Sequence, residues 1–206
     1  MSVIFIAGLV SAQEKAAIEK KAEKKMEVKN PIVEIQTNHG NIYFEVFEKE
    51  APIHSKNFLD KVKAGMYDSL TFHRIVPGFV IQGGDPTGTG SGSMGDERLA
   101  DEKGPTTPQV RTTVAMARSS AGASNCQFYI NLKDNSGPPA YLDRQGFTAF
   151  AKVVKGMDVV DEISGVKTGP GDKPLDPVVM VKLTVLEKVP ASAEKTAPAK
   201  DASEKK

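Results

Sequence analysis

Hydrophobic and polar positions alternate through most of the chain, and each alternating run ends at a turn signal. Ile32–Thr37 alternates, residues 38–41 supply a turn, and Ile42–Phe47 alternates again. That pattern predicts a β-hairpin with His39 as a turn residue at its tip. Residues 51–65 change period. Pro52 suits a first helical turn, Ile53, Phe58, Leu59 and Val62 make an apolar face, and Gly65 is placed to stop the helix. His54, in that first turn, is expected to be structural or simply exposed. The stretch Thr71–Asp85, TFHRIVPGFVIQGGD, organises what surrounds it. It alternates, turns at Pro77-Gly78, resumes over Phe79–Gln82 and stops at Gly83-Gly84. Strict alternation puts Phe72 with Arg74 on one face, His73 with Ile75 on the other, and Val80 with Gln82 together. An arginine and a glutamine are thereby set among Phe and Val. A guanidinium keeps its charge, so a site that half-buries one must give it acceptors.

Further along, residues 110–117 and 126–132 read as strands, and the small polar residues 118–125 between them read as a loop. Residues 147–154 give another strand, 155–164 a short second helix, 169–172 a turn and 178–189 a closing strand. Many short strands with two helices are most economically housed in a mainly β fold. A largely antiparallel sheet with no free edges is a barrel.

Composition narrows this picture. With 206 residues, 39% hydrophobic and 26% charged, the chain suits one domain, at 31–189, with polar ends. A net charge of +1 gives no basic field, so nucleic acid is not an expected partner. The single Cys126 precludes an internal disulfide and sits in an apolar strand pattern, which predicts a buried, inert thiol. No apolar run approaches the roughly 18–20 residues of a bilayer span. Residues 1–12 carry a short apolar run ending in Val10-Ser11-Ala12, which has the form of a signal-peptidase site without the usual preceding Lys or Arg. The expectation is an exported, periplasmic protein whose signal lacks its first residues; the alternative is a cytoplasmic one. Residues 13–30 read as a charged Lys/Glu/Ala linker, and 190–206 as a disordered tail.

The residues offer little conventional chemistry. There is no G-x-S-x-G elbow, and the three histidines stand apart without metal-ligand spacing, so neither metal nor cofactor is expected. Gly90 to Gly95 formally fits G-x-G-x-x-G. It lacks the strand before and the apolar helix after that a nucleotide site requires, and reads as a flexible glycine-rich loop beside a groove.

Three blocks, in this order, carry a family resemblance: FHRIVPGFVIQGGD from Phe72, VAMARSSAGASNCQFYIN from Val114, and YLD…FTAFAKVVKGMDVVDEI from Tyr141. Together they resemble the cyclophilin-type peptidyl-prolyl cis/trans isomerases, bacterial members above all, over about residues 31–189. The resemblance implies a closed eight-stranded antiparallel β-barrel capped at each end by a helix, with a groove on its outer face. It implies that Arg74 is catalytic. Phe79, Val80, Tyr129 and Leu142 would line a pocket for the proline ring, and Gln82 would hold Arg74 and the substrate carbonyl. The backbone at Ala117, Arg118 and Ser119 would pair with an extended substrate, and Gln127, Tyr141 and Phe147 would frame the groove. His73 is read as a scaffold hydrogen-bonder. The implied partners are proline-containing peptides and unfolded or partly folded proteins, met by a monomer. A second reading makes the groove a proline-peptide or holdase module whose isomerase activity is incidental.

The departures from the family pattern carry expectations of their own. Tyr141 stands where many relatives have Trp, so weak or no cyclosporin binding is expected. Tyr129 stands for the usual Phe and adds a hydroxyl that needs a partner. Phe147 stands where animal members carry His, and Ala151 replaces a usual Gly. The charged segment 95–108 has no place relative to the groove.

Overall fold

Ile32–Thr37 (β1) and Gly40–Val46 (β2) pair antiparallel with Thr37 opposite Gly40, the expected hairpin. Thr37 Oγ1 donates to Gly40 O at 2.7 Å and accepts from His39 N at 3.0 Å, which locks the turn. Six further strands follow: Leu70–Val76 (β3), Val80–Gly83 (β4), Thr113–Ser119 (β5), Gly122–Asn131 (β6), Ala149–Lys155 (β7) and Val179–Leu186 (β8). They join in the order β1-β2-β7-β5-β6-β4-β3-β8 and close on β1, every pairing antiparallel. This computed structural model describes residues 30–100, 102, 107–120, 122–191 and 193. The expected signal, the linker up to residue 29 and most of the tail lie outside the described residues.

The barrel is filled by side chains from alternate strand positions. Phe44, Phe72, Phe128, Phe150, Ile35, Ile42, Ile75, Ile81 and Ile130 are all buried. Phe128 is the hub, meeting Phe44, Phe58, Tyr67 and Phe72 edge-on with ring centroids 5.6–6.1 Å apart, the geometry that the ring quadrupole favours. Helix α1 (Pro52–Lys63) contributes Phe58, Leu59 and Val62 to this core, and helix α2 (Met157–Ser164) contributes Val159, Val160 and Ile163.

Three local readings are corrected. First, Ile53 is 44% exposed. The buried positions in the first turns of α1 are His54 and Ser55 instead, because both find acceptors. Ser55 Oγ donates to Phe47 O at 2.9 Å, and His54 Nε2 lies 3.1 Å from Ala100 O. Secondly, residues 118, 119 and 122–125, expected in a loop, are strand. Strand β5 runs on to Ser119 and β6 starts at Gly122, with Arg118 opposite Ala123. The polar Ser124 and Asn125 are buried there, and Asn125 Nδ2 donates to Met94 O and Glu97 O while its Oδ1 accepts from Met94 N. Thirdly, β3 is bulged. Phe72 pairs with Gly83 but Arg74 pairs with Gln82, so His73 is the extra residue and parity shifts by one. Phe72 and Ile75 both face the core, and Arg74 is left outside it with Val80 and Gln82.

The segment after the glycine loop is also placed, in part. Pro52 has no N–H to satisfy, and the next two amides of α1, Ile53 N and His54 N, donate to the two carboxylate oxygens of Glu102 at 2.7 and 2.9 Å. A carboxylate at a helix N-terminus satisfies orphan donors and complements the dipole. Leu99 N donates to Ala123 O at 3.1 Å. Glu102 thus lies on the start of α1 and Leu99 on the start of β6.

Candidate active site

Four neighbouring strands of the barrel build one row of residues across its outer face. Arg74 on β3 stands opposite Gln82 on β4, Gln82 opposite Tyr129 on β6, and Tyr129 opposite Ala115 on β5. Outward parity on each strand, set on β3 by the His73 bulge, puts these side chains on the same side of the wall. A second, smaller apolar cluster covers this face: Val80, Ala115, Tyr129, Leu142 and Ala149 are buried, with Phe79, Ala117, Ala140 and Phe147 packed against them. Leu142 comes from a 3₁₀ turn, Leu142–Gln145, and the Phe147 ring meets Tyr129 edge-on at 5.7 Å.

Between them is a cavity of about 190 Å³ lined by Arg74, Phe79, Val80, Gln82, Ala117, Arg118, Tyr129, Leu142 and Phe147. Its lining is largely apolar and also includes the guanidinium groups of Arg74 and Arg118 and the Gln82 amide. Three of the expected site residues lie off this cavity. Gln127 is one layer back, where its Oε1 accepts from Gln82 Nε2 at 3.0 Å and its Nε2 donates to Gly90 O and Gly92 O at 3.1 and 2.9 Å. Ser119 ends β5, past Arg118. Tyr141 is 36% exposed, with the Arg144 guanidinium 4.9 Å above its ring.

Two expected partnerships differ. The Gln82 amide is engaged by Gln127 and not by Arg74. The Arg74 Nε instead lies 3.3 Å from Asp172 Oδ2, on the turn Pro170–Asp172. His73 makes no scaffold hydrogen bond: it is buried with neither ring nitrogen partnered among the described residues. Burial lowers its pKa, with Asp85 opposing and Arg74 and Lys173 assisting. His73 therefore packs as a neutral ring beside Gly90, where an added Cβ would sit 3.7 Å from Nε2.

The glycine-rich loop is pinned rather than slack. Buried Asp85 accepts at Oδ1 from Thr87 N and Thr87 Oγ1 and at Oδ2 from Gly90 N and Gly92 N, at 2.5–3.1 Å. Burial works to raise the Asp85 pKa, but the donors from Thr87, Gly92 and Gly90 outweigh it and hold the group at about 2. A carboxylate depressed below its unfolded value of about 3.9 stabilises the fold above that pH, and the stabilisation is lost as pH falls toward the folded value. Acidification from about pH 4 to pH 2 is therefore expected to release the loop. Asp85→Asn, which turns an NH₂ toward amide donors, is expected to cost about 1–3 kcal/mol. Amide exchange at Gly90 and Gly92 checks both; protection unchanged by acid or by the substitution would contradict this account.

The Tyr129 hydroxyl has its partner in a residue that carries no motif. It donates to Gln109 Oε1 at 3.0 Å, and Gln109 also accepts from Asn131 Nδ2 at 2.9 Å and donates to Phe147 O at 3.1 Å. Burial, and secondarily Asp143, pushes the Tyr129 pKa well up, so the phenol remains a donor. Tyr129→Phe leaves Gln109 bonded to Asn131, so a loss of about 1 kcal/mol is expected. Thermal unfolding tests this, and a loss several times larger would mean that the phenol holds the whole network. Cys126 is buried, and burial foremost raises its thiol pKa, as expected of an inert thiol. No helix among the described residues is long and apolar enough to cross a membrane.

Comparison with known proteins agrees with the barrel fold. Residues 32–185 match the family described as cyclophilin type peptidyl-prolyl cis-trans isomerase/CLD. The chain is 40% identical over 166 residues to peptidyl-prolyl cis-trans isomerase B of Escherichia coli (strain K12), covering 76% of this chain and 100% of that protein. It is 36% identical over 157 residues to peptidyl-prolyl cis-trans isomerase ppi1 of Schizosaccharomyces pombe, covering 75% of this chain and 98% of the other. Among solved structures it is similar to a Cryptosporidium parvum cyclophilin-type isomerase crystallised with the dipeptide Ala-Pro. That match has a TM-score of 0.66 and 28% identity, over 76% of this chain and 99% of the other.

Proposed function

Because this chain belongs to the cyclophilin-type peptidyl-prolyl cis-trans isomerase family, we propose that the cavity on its outer wall takes the proline ring of a substrate and that Arg74 accelerates rotation about the preceding peptide bond. The bond owes its barrier of roughly 18–20 kcal/mol to resonance between nitrogen and carbonyl. At the twisted transition state that resonance is lost, and the pyramidal nitrogen gains a lone pair able to accept a hydrogen bond. A guanidinium that donates to it binds the transition state better than the planar ground state, which is the condition for catalysis. The observation that carries the reading is the row Arg74–Gln82–Tyr129, which sets the Arg74 guanidinium at a cavity whose other lining is largely apolar, apart from Gln82 and Arg118.

Phe79, Val80, Tyr129 and Leu142 hold the ring while the carbonyl on its N-terminal side turns, a restraint of the kind that positioning supplies. Gln82, steadied by Gln127, offers its remaining amide hydrogen and carbonyl to the substrate backbone. The backbone of Ala117–Ser119 is the proposed strand against which an extended peptide lies, as the family resemblance implies. Unfolded proteins are the proposed clients, and the protein assists their folding as an exported monomer. The Val10-Ser11-Ala12 motif supports export. Cyclosporin binds weakly or not at all, since Tyr141 lacks an indole N–H and sits off the cavity. The direct test is the cis-to-trans rate of a short Xaa-Pro reporter peptide with and without the protein. An unchanged rate would remove the proposal.

A further inference from the structure

Arg74 is gripped from outside the sheet. Asp172 is, among the described residues, the carboxylate within ion-pair distance of it, and the contact is made at Nε, 3.3 Å from Oδ2. A guanidinium presents one N–H at Nε and four at its two terminal nitrogens. A carboxylate on Nε fixes the plane of the group and leaves the terminal donors for the cavity that Arg74 lines.

The turn that carries Asp172 is shaped for this reach. Gly171 (φ 72°) and Asp172 (φ 59°) are both left-handed, a conformation open to Gly and tolerated by Asp. Gly169 N donates to Lys173 O at 2.8 Å, and Thr168 bridges Pro174, so the turn is closed on itself. It packs along β3, and the charge of Lys173 is felt at His73. The turn therefore lies over the bulge from which Arg74 projects.

We propose that Asp172 is a positioning residue for isomerisation, orienting the Arg74 guanidinium toward the twisted peptide nitrogen. This rests on the role given above to Arg74. Both groups are partly exposed, with side chains 37% and 48% accessible, and such a pair adds at most about 1 kcal/mol to folding. Its effect falls on turnover, because it removes rotamers in which the guanidinium swings away from the cavity.

The test uses the full chain and the Xaa-Pro reporter. Asp172→Gly keeps the left-handed backbone and removes the carboxylate; Asp172→Asn keeps an acceptor without its charge. The expected result is a kcat about two- to fivefold lower for Asp172→Gly, with KM little changed and Asp172→Asn between it and wild type. The Arg74 Nε–H resonance should move in the nuclear magnetic resonance spectrum of Asp172→Gly. In an Arg74→Ala background, Asp172→Gly should cause no further loss. Wild-type kcat in Asp172→Gly would overturn the inference, as would an equal loss with and without Arg74, or an unmoved Nε–H resonance. Full activity in Arg74→Ala alone would be a separate failure, of the Arg74 role itself, and Asp172 would then have nothing to position.

Discussion

Arg74→Ala should slow isomerisation of a saturating Xaa-Pro peptide by about one to two decades, the worth of one charge-assisted hydrogen bond of about 1.5–3 kcal/mol. The barrel should be left intact. Arg74 sits outside the core on the far side of the His73 bulge, and its partner Asp172 is on an exposed turn. The loss should appear in kcat more than in peptide affinity, because the proposed bond forms only when the nitrogen has become pyramidal. Circular dichroism beside the rate assay separates this from unfolding. A variant as fast as wild type would discard the guanidinium mechanism and leave the apolar cavity as the whole catalyst. A wild-type protein that binds proline peptides without accelerating them would instead describe a binding module.

Phe128→Ala is the opposite case, and its expected effect is on stability. Phe128 sits between Gln127 and Tyr129 in sequence but points inward, against four aromatic rings. Emptying a site of this size costs about 3–5 kcal/mol, a large part of the roughly 5–15 kcal/mol that holds a domain together. Urea unfolding should show the midpoint fall steeply, with activity lost only where the fold is lost. A destabilisation under about 1 kcal/mol would mean that the neighbouring rings close over the gap, against the cavity term expected in a close-packed core. The two substitutions together divide β3, β4 and β6 into an inner face that makes the protein stable and an outer face that makes it active.

Much of this was legible in the chain because it rests on residue type and period. Alternation located all eight strands, Pro52 and Gly65 bounded α1, and the spacing of Arg74, Gln82 and Tyr129 resembled one family. What escaped notice depends on neighbours brought together by folding. Nothing in FHRIV marks His73 as a bulge, since a bulge needs only an extra residue and a partner strand that skips it. Ser124 and Asn125 read as loop because polar side chains are rarely buried; Ser124 Oγ accepts from the nearby Cys126 and Gln127 amides, while the partners of the Asn125 side chain come from residues 93–97, which the sequence places far away. The cap on α1 by Glu102, the support of Tyr129 by Gln109 and the grip of Asp172 on Arg74 are long-range for the same reason. The Tyr129 hydroxyl is the nearest signal: a buried phenol requires a partner but does not specify which.

The closed ring of eight strands has a bearing on the company such a protein keeps. Chains that wait on a slow proline are extended and adhesive, and they recruit any exposed row of backbone donors and acceptors into growing cross-β stacks. A prolyl isomerase built on an open sheet would seed, or be swept into, such deposits. With β1 bonded to both β2 and β8, the ring has no end strand among the described residues to lend. Mixed with an aggregating proline-containing protein, this chain should stay in the supernatant while the other sediments.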